Sequence, residues 1–353
     1  MQDETRGAFS AFREKMENLL KDSISTGKLK PEQAETIFNK TPEMLVDETY
    51  KSLETDRTKN LQEIISDEDG FVERNYERWK EGFDLLRMFR HICLGAGHLF
   101  QQEFLKYPQF KEDVLLGVLM RLHARACRVT GEVIALLING YPDGALSRWR
   151  TLHEIAVISI VLKKYGQAAA EDYIRYARVQ VVNGMERYQK TAQAMGREPY
   201  SLEEIEKARE WRSKILASDK AFESTNGWAR KYVGASKFEK LQIAVGLEKW
   251  DSDYASASLD IHSAYREMRS LLGMAEAKEE ILLSGPSNSG MTEPAHFTAI
   301  ALSQITATFI LTYSEDEECP IDHTGSAIFT QLINRFVHEI GAAFLAVDEK
   351  RPQ

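Results

Sequence analysis

The stretch GYPDGALSRWRTLHEIAVISIVLKKY, residues 140–165, decides the fold. It opens on a turn, Gly140-Tyr-Pro-Asp-Gly144, and runs from Ala145 to Tyr165 without another Gly or Pro, which predicts a helix capped near Asp143. From Ile155 to Leu162 that helix is apolar nearly all round, and a helix of this kind is buried. Burying it takes other helices on every side. Its first turns nevertheless carry Arg148, Arg150, His153 and Glu154. Arg150 and Glu154, four apart, share a face in the weaker of the two ion-pair orders, and an Arg near a helix start opposes the macrodipole. Local helix energetics therefore do not account for Arg150. A ligand is one reading, and an ion pair bracing neighbouring helices is the other.

Working outward, helical spacing continues on both sides. Phe71 to Leu105 repeats apolar residues at Phe83, Leu86, Phe89 and Ile92, with a bend expected at Gly95-Ala-Gly97 and an end at Pro108. A helix from Phe110 to Asn139 has a core stripe of Val118, Leu122, Val129, Val133 and Leu136. Arg121, Arg125 and Arg128 recur on another face. Beyond the central stretch, Gln167–Met195 reads as a helix anchored by Tyr173, Tyr176 and Tyr188. Ser201-Leu-Glu-Glu204 is a capping box for a helix to about Ala217. Ser236 opens a short helix, and Lys249–Leu272 a longer one with Tyr254, Ser258, His262 and Tyr265 on one side. After the loop Leu283–Gly290 come helices from about Pro294 and over Thr324–Val347. No alternating strand pattern or fixed-period repeat occurs. The expected architecture is all-α: a helical bundle over 71–350, preceded by an N-terminal helical extension over 1–70 in which Pro31 and Thr41-Pro42 mark helix starts.

Composition narrows the function. A hydrophobic share of 43%, a charged share of 28% and a net charge of -9 describe an ordinary globular chain, not a nucleic-acid coat or a membrane-surface binder. Residues 120–190 invert the balance, with eleven Lys or Arg against six Asp or Glu, and a local basic surplus suits phosphate. Cys93, Cys127 and Cys319 are odd in number and without a CxxC pair, as free thiols in a reducing cytoplasm would be. No apolar run reaches the roughly 18 residues of a membrane span. Phosphate-cradling GxxxxGK[ST] and GxGxxG loops, HExxH and Glu-x-x-His metal pairs, a GxSxG elbow and DNA-binding motifs are absent, so neither cofactor nor metal is expected.

Two positive signals remain. Arg148-Trp-Arg-Thr-Leu-His153 resembles the Arg, four to six residues, His pattern of helical HEPN domains, many of which are metal-independent ribonucleases. Five positions on a helix separate two side chains by about 140°, so this pair does not face one phosphate without distortion. The second signal is Ser258-Leu-Asp-Ile-His262, an i, i+4 pair on a helix rich in small residues. A lone helical His is also an ordinary structural hydrogen-bonder.

Taken together, Asn139–Ala145 with Arg150-Thr-Leu-His-Glu154, Gly227-Trp228-Ala229, Tyr254 with Ser258-x-x-x-His262, and the Leu283-Ser-Gly-Pro loop resemble a bacterial domain-of-unknown-function family (DUF5677-like) over about Phe104–Leu311. The resemblance implies that Arg150, Glu154 and His262 are the recurring polar positions. The position of His153 is frequently aromatic there. The expected site is thus Arg150, Glu154 and His262, with Arg125, Arg128, Arg148, His153, Ser258 and Tyr254 as accessory binding residues. The expected activity is RNA cleavage or RNA binding by a HEPN-like protein of toxin or phage-defence type. In it Arg150 grips phosphate, Glu154 orients Arg150 and His262 moves a proton. HEPN sites are commonly composite, which implies a homodimer. The rival is a non-catalytic regulatory or scaffold protein whose Arg150, Glu154 and His262 form a packing network.

Overall fold

The computed structural model describes residues 21, 25–27, 46–47, 50–51, 53–259, 271–279 and 281–350. Two units divide the chain, Met1–Gly70 and Phe71–Gln353. Every regular element among the described residues is helical. In the first unit the described residues over 53–70 are helical apart from a turn at Asp56, with Leu53, Leu61 and Ile65 exposed. The helix starts expected at Pro31 and Thr41 lie outside the described residues.

The unit boundary falls inside helix α1 (Arg57–Arg78). There follow α2 (Lys80–Phe104), α3 (Val114–Ile138), α4 (Pro142–Thr191), α5 (Leu202–Ser218), α6 (Arg230–Val233), α7 (Phe238–Ala244), α8 (Asp251–Leu259), α9 (Thr292–Ile310) and α10 (Thr324–Glu349). Helix α4 sits at the centre, packed on α3 and α9, while α9 also meets α10 and α2 pairs with both α10 and α3. Its first half presents Leu152, Ile155, Ala156, Val157, Val161 and Leu162 to the core, each buried. At Gly166 the backbone turns to φ 73°, ψ -156°, a region open in practice to glycine alone, and a second helical half starts at Gln167. The Gln167 side chain turns back to accept the Leu115 amide at 3.0 Å, satisfying an orphan donor in the first turn of α3.

Several local expectations need correction. The break foreseen at Gly95–Gly97 is absent, and α2 continues through it. Gly97 instead lets α3 approach, since a Cβ there would lie 2.3 Å from the His123 ring. The interruption falls earlier, at Trp79 (φ -107°, ψ 17°), whose indole is buried and donates to the Asn288 carbonyl at 2.9 Å. Helix α3 begins at Val114, not Phe110, because Asp113 is its N-cap and accepts the Leu116 amide at 2.7 Å. Asp143 does not cap its own helix. Pro142 occupies the first helical turn of α4 and the cap position is Tyr141. The freed carboxylate reaches across the molecule, Oδ1 accepting the Leu272 amide at 2.6 Å and Oδ2 that of Gly273 at 3.2 Å. The Gly140 carbonyl likewise accepts the Ser287 amide at 2.9 Å. The turn that opens the central helix is thereby latched to the Leu283–Gly290 loop. The capping box at Ser201 and Glu204 forms as expected. None of the described helices is long and apolar enough to cross a membrane.

Candidate functional site

The polar residues at the start of α4 diverge. Arg148 turns toward α3, donating from Nε and Nη2 to Glu132 Oε2 at 2.9 and 2.6 Å. Arg128 adds a looser contact to the same carboxylate at 3.6 Å. His153 turns the other way, into an aromatic nest of Trp149, Phe238 and Tyr254 with ring centroids 5.4, 6.0 and 5.7 Å away. It is 2% exposed, and burial lowers its pKa to about 4. That ring is neutral at pH 7. The Arg148–His153 spacing therefore brings the two side chains to different neighbours, as the helical geometry requires.

Arg150 and Glu154 stay together and take up Tyr254 from α8. The Tyr254 hydroxyl donates to Glu154 Oε1 at 2.7 Å and accepts from Arg150 Nη2 at 2.9 Å. Nη2 is itself 3.1 Å from Oε1, with the two side chains 29% and 35% exposed. The guanidinium carbon lies 4.9 Å from the centre of the phenol ring, within cation–π range. Burial, reinforced by the hydrogen bond to Glu154, raises the phenol's pKa to about 12. Tyr254 is thus a donor held neutral, not a base. Helix α8 is steered here by Trp250, which packs on Trp149 and Phe297 at 6.1 and 5.0 Å, and by the fully buried Ala257. Phe238 of α7 packs against the phenol, ring centroids 4.7 Å apart.

Two atoms in this cluster are sealed from solvent without a hydrogen-bond partner among the described residues, Arg150 Nε and His153 Nε2. Buried polar atoms are nearly always paired, so each asks for an explanation. Every bond of the Arg150 guanidinium to a described residue leaves from Nη2. Arg125 is exposed on α3, and no hydrogen bond or ion pair joins it to Arg150, Glu154 or Tyr254 among the described residues. Ser258 is occupied within its own helix, donating to the Tyr254 carbonyl at 2.7 Å. His262 and Tyr265 lie outside the described residues.

Sequence reasoning placed Arg150, Glu154 and Tyr254 in one site but missed Phe238 and Trp149 as the walls that orient them. Aromatic residues at helical spacing look like any core stripe, and nothing in the spacing distinguishes these. Residues 116–280 match the model of a family of unknown function, DUF5677. The match takes in α4, α7 and α8, and stops short of the Leu283–Gly290 loop. No curated protein and no solved structure matches the chain.

Proposed function

We propose that the Arg150–Glu154–Tyr254 cluster is a phosphate site for single-stranded RNA in a HEPN-like protein of toxin or phage-defence type. The observation that carries this reading is the state of Arg150: partly exposed, with one nitrogen engaged and a buried Nε unpaired among the described residues. A guanidinium presents five donors in a planar fork suited to phosphate, so Arg150 retains donors for an oxyanion. Glu154 and the neutral Tyr254 hold the fork in place. The exposed stripe of Arg121, Arg125 and Arg128 on α3, the helix packed on α4, offers further cations for neighbouring phosphates. Cleavage falls to His262, because His153 and Tyr254 titrate too far from neutrality to exchange a proton there. A homodimer would complete the site in the way HEPN proteins commonly do.

One observation favours a structural role instead: Glu154 already neutralises Arg150 in a closed triad with Tyr254. Expression of wild type, Arg150→Ala and His262→Ala separates the readings, with growth, cellular RNA integrity and thermal melting followed together. Under the RNA reading Arg150→Ala loses RNA binding, and His262→Ala binds RNA but leaves it intact and relieves toxicity. Both keep a melting temperature near wild type. Variants that melt early with RNA binding unchanged would leave the triad a brace and nothing more.

A further inference from the structure

A cleft of about 330 Å³ opens between α2 and the start of α10, and none of its lining residues belongs to the Arg150 cluster. Small side chains leave the space. Where α2 begins, Gly82 receives the Phe344 ring so closely that a Cβ there would lie 2.6 Å from it. At the other end of the same helix pair Ala96 and Gly325 line the cleft, and a Cβ on Gly325 would meet nothing within 4 Å. The floor is apolar. Phe100 and Ile310 are 6% and 1% exposed, and Phe100 is fixed edge-on to Phe104 and Phe309, with ring centroids 4.4 and 5.5 Å away. Phe329 of α10 is only partly buried beside them. The charged groups in the wall are both acidic, Glu103 from α2 and Asp322 from the segment before α10, and no Lys, Arg or His lines the cleft. Asp322 accepts the Thr324 amide at 2.9 Å, and bonds from the Thr324 side chain and amide hold its carboxyl below the ordinary range, so it is ionised at pH 7. Glu103 pairs with Lys106 at 2.5 Å, but that lysine side chain is 63% exposed, and a surface pair of this kind contributes little and is screened by salt.

An apolar cleft walled by charge of one sign selects its ligand. Its carboxylates repel aromatic and fatty acids, and a neutral hydrocarbon leaves them unused, whereas an ammonium group is attracted by both and by an aromatic face. We propose that this cleft binds small apolar cations, an aryl- or alkylammonium whose body lies against Phe100, Ile310 and Phe329 and whose charge is shared by Glu103 and Asp322. The volume is at the low end of small-molecule sites, which suits a ligand of one ring and a short chain. The inference stands apart from the RNA reading and does not depend on it.

The test is a saturation-transfer NMR titration of the full chain at pH 7 with 2-phenylethylamine, a cation, and with 2-phenylethanol and phenylacetate as its neutral and anionic counterparts. The amine should half-saturate at about 1 mM, as suits a ligand of this size, the alcohol at about tenfold higher concentration, and the acid not at all. Asp322→Asn keeps an acceptor for the Thr324 amide and should weaken the amine about threefold while leaving the alcohol unchanged. Gly325→Leu grows into the cleft from a helical position with open space around it, and should abolish binding of amine and alcohol with the melting temperature at or above wild type. The proposal is overturned if the amine does not bind wild type by about 10 mM, if the acid binds as well as the amine, or if folded Gly325→Leu binds the amine as wild type does.

Discussion

Removing the carboxylate of Asp143 tests how the central helix is held. In Asp143→Ala two buried-side acceptors vanish, one at 2.6 Å from the Leu272 amide and one at 3.2 Å from that of Gly273. Hydrogen bonds to a charged group contribute about 1.5–3 kcal/mol each, and the second is long, so the loss should total about 3 kcal/mol. The other ties of the latch survive: Gly140 still accepts the Ser287 amide, and the Gly273 carbonyl still accepts Ser287 Oγ at 2.6 Å and Ser289 Oγ at 2.9 Å. At about 2 °C per kcal/mol for a unit of this size, Tm should fall by about 6 °C. Asp143→Asn keeps one acceptor and should lose about half as much. Urea unfolding followed by tryptophan fluorescence reads the change as a lower midpoint at constant m-value, and proteolysis should become faster between residues 271 and 290. The reasoning is refuted if Asp143→Ala stays within about 0.5 kcal/mol of wild type, or if Asn is worse than Ala.

Three further outcomes follow from the same geometry. His153→Phe should match or exceed wild-type stability at pH 7, because its neighbours are aromatic and its Nε2 is unpaired. With the pKa lowered to about 4, His153 supports the fold fully above its unfolded value near 6.5. It loses that support as pH falls toward 4, about 2 kcal/mol by pH 5, and unfolding midpoints at pH 5 and pH 7 should show Phe sparing this loss. The raised Tyr254 pKa, about 12, means stability present below pH 10 and lost between 10 and 12; Tyr254→Phe should delete a tyrosinate absorbance step near pH 12 and cost about 1 kcal/mol at pH 7. Gly290→Ala, at φ +75° with a Cβ 2.3 Å from the Leu272 carbonyl, should cost about 2–3 kcal/mol in chemical unfolding, whereas Gly95→Ala on the open face of α2 should be neutral or stabilising.

The features readable from the sequence are those set by near neighbours along the chain. The apolar girdle from Ile155 to Leu162, the restart of the helix after Gly166 and the capping box at Ser201 each depend on residues within one or two turns. Gly97 was misread because a glycine that bends a helix and one that admits a neighbour look alike in sequence; only the His123 ring decides between them. Asp143 was misread for a related reason. Its spacing fits a cap, but Pro142 takes the first helical turn and the carboxylate finds partners more than a hundred residues away. At the candidate site the Arg150–Glu154 pair was legible as an i, i+4 contact. That the Tyr254 hydroxyl bridges the pair, and that His153 faces inward, depend on how α7 and α8 cross α4, which no local periodicity encodes.

The central claim is that Arg150 holds a phosphate, and the salt dependence of RNA affinity measures this directly. A labelled single-stranded RNA titrated by fluorescence anisotropy from 50 to 200 mM salt gives a slope of log K against log salt that counts the phosphates neutralised, about 0.7 for each in a single strand. The account predicts a slope about 0.7 shallower for Arg150→Ala and for Arg125→Ala, with Tyr254→Phe keeping the wild-type slope. Wild type and Arg150→Ala giving the same slope, or no binding by wild type at the lowest salt, would contradict it.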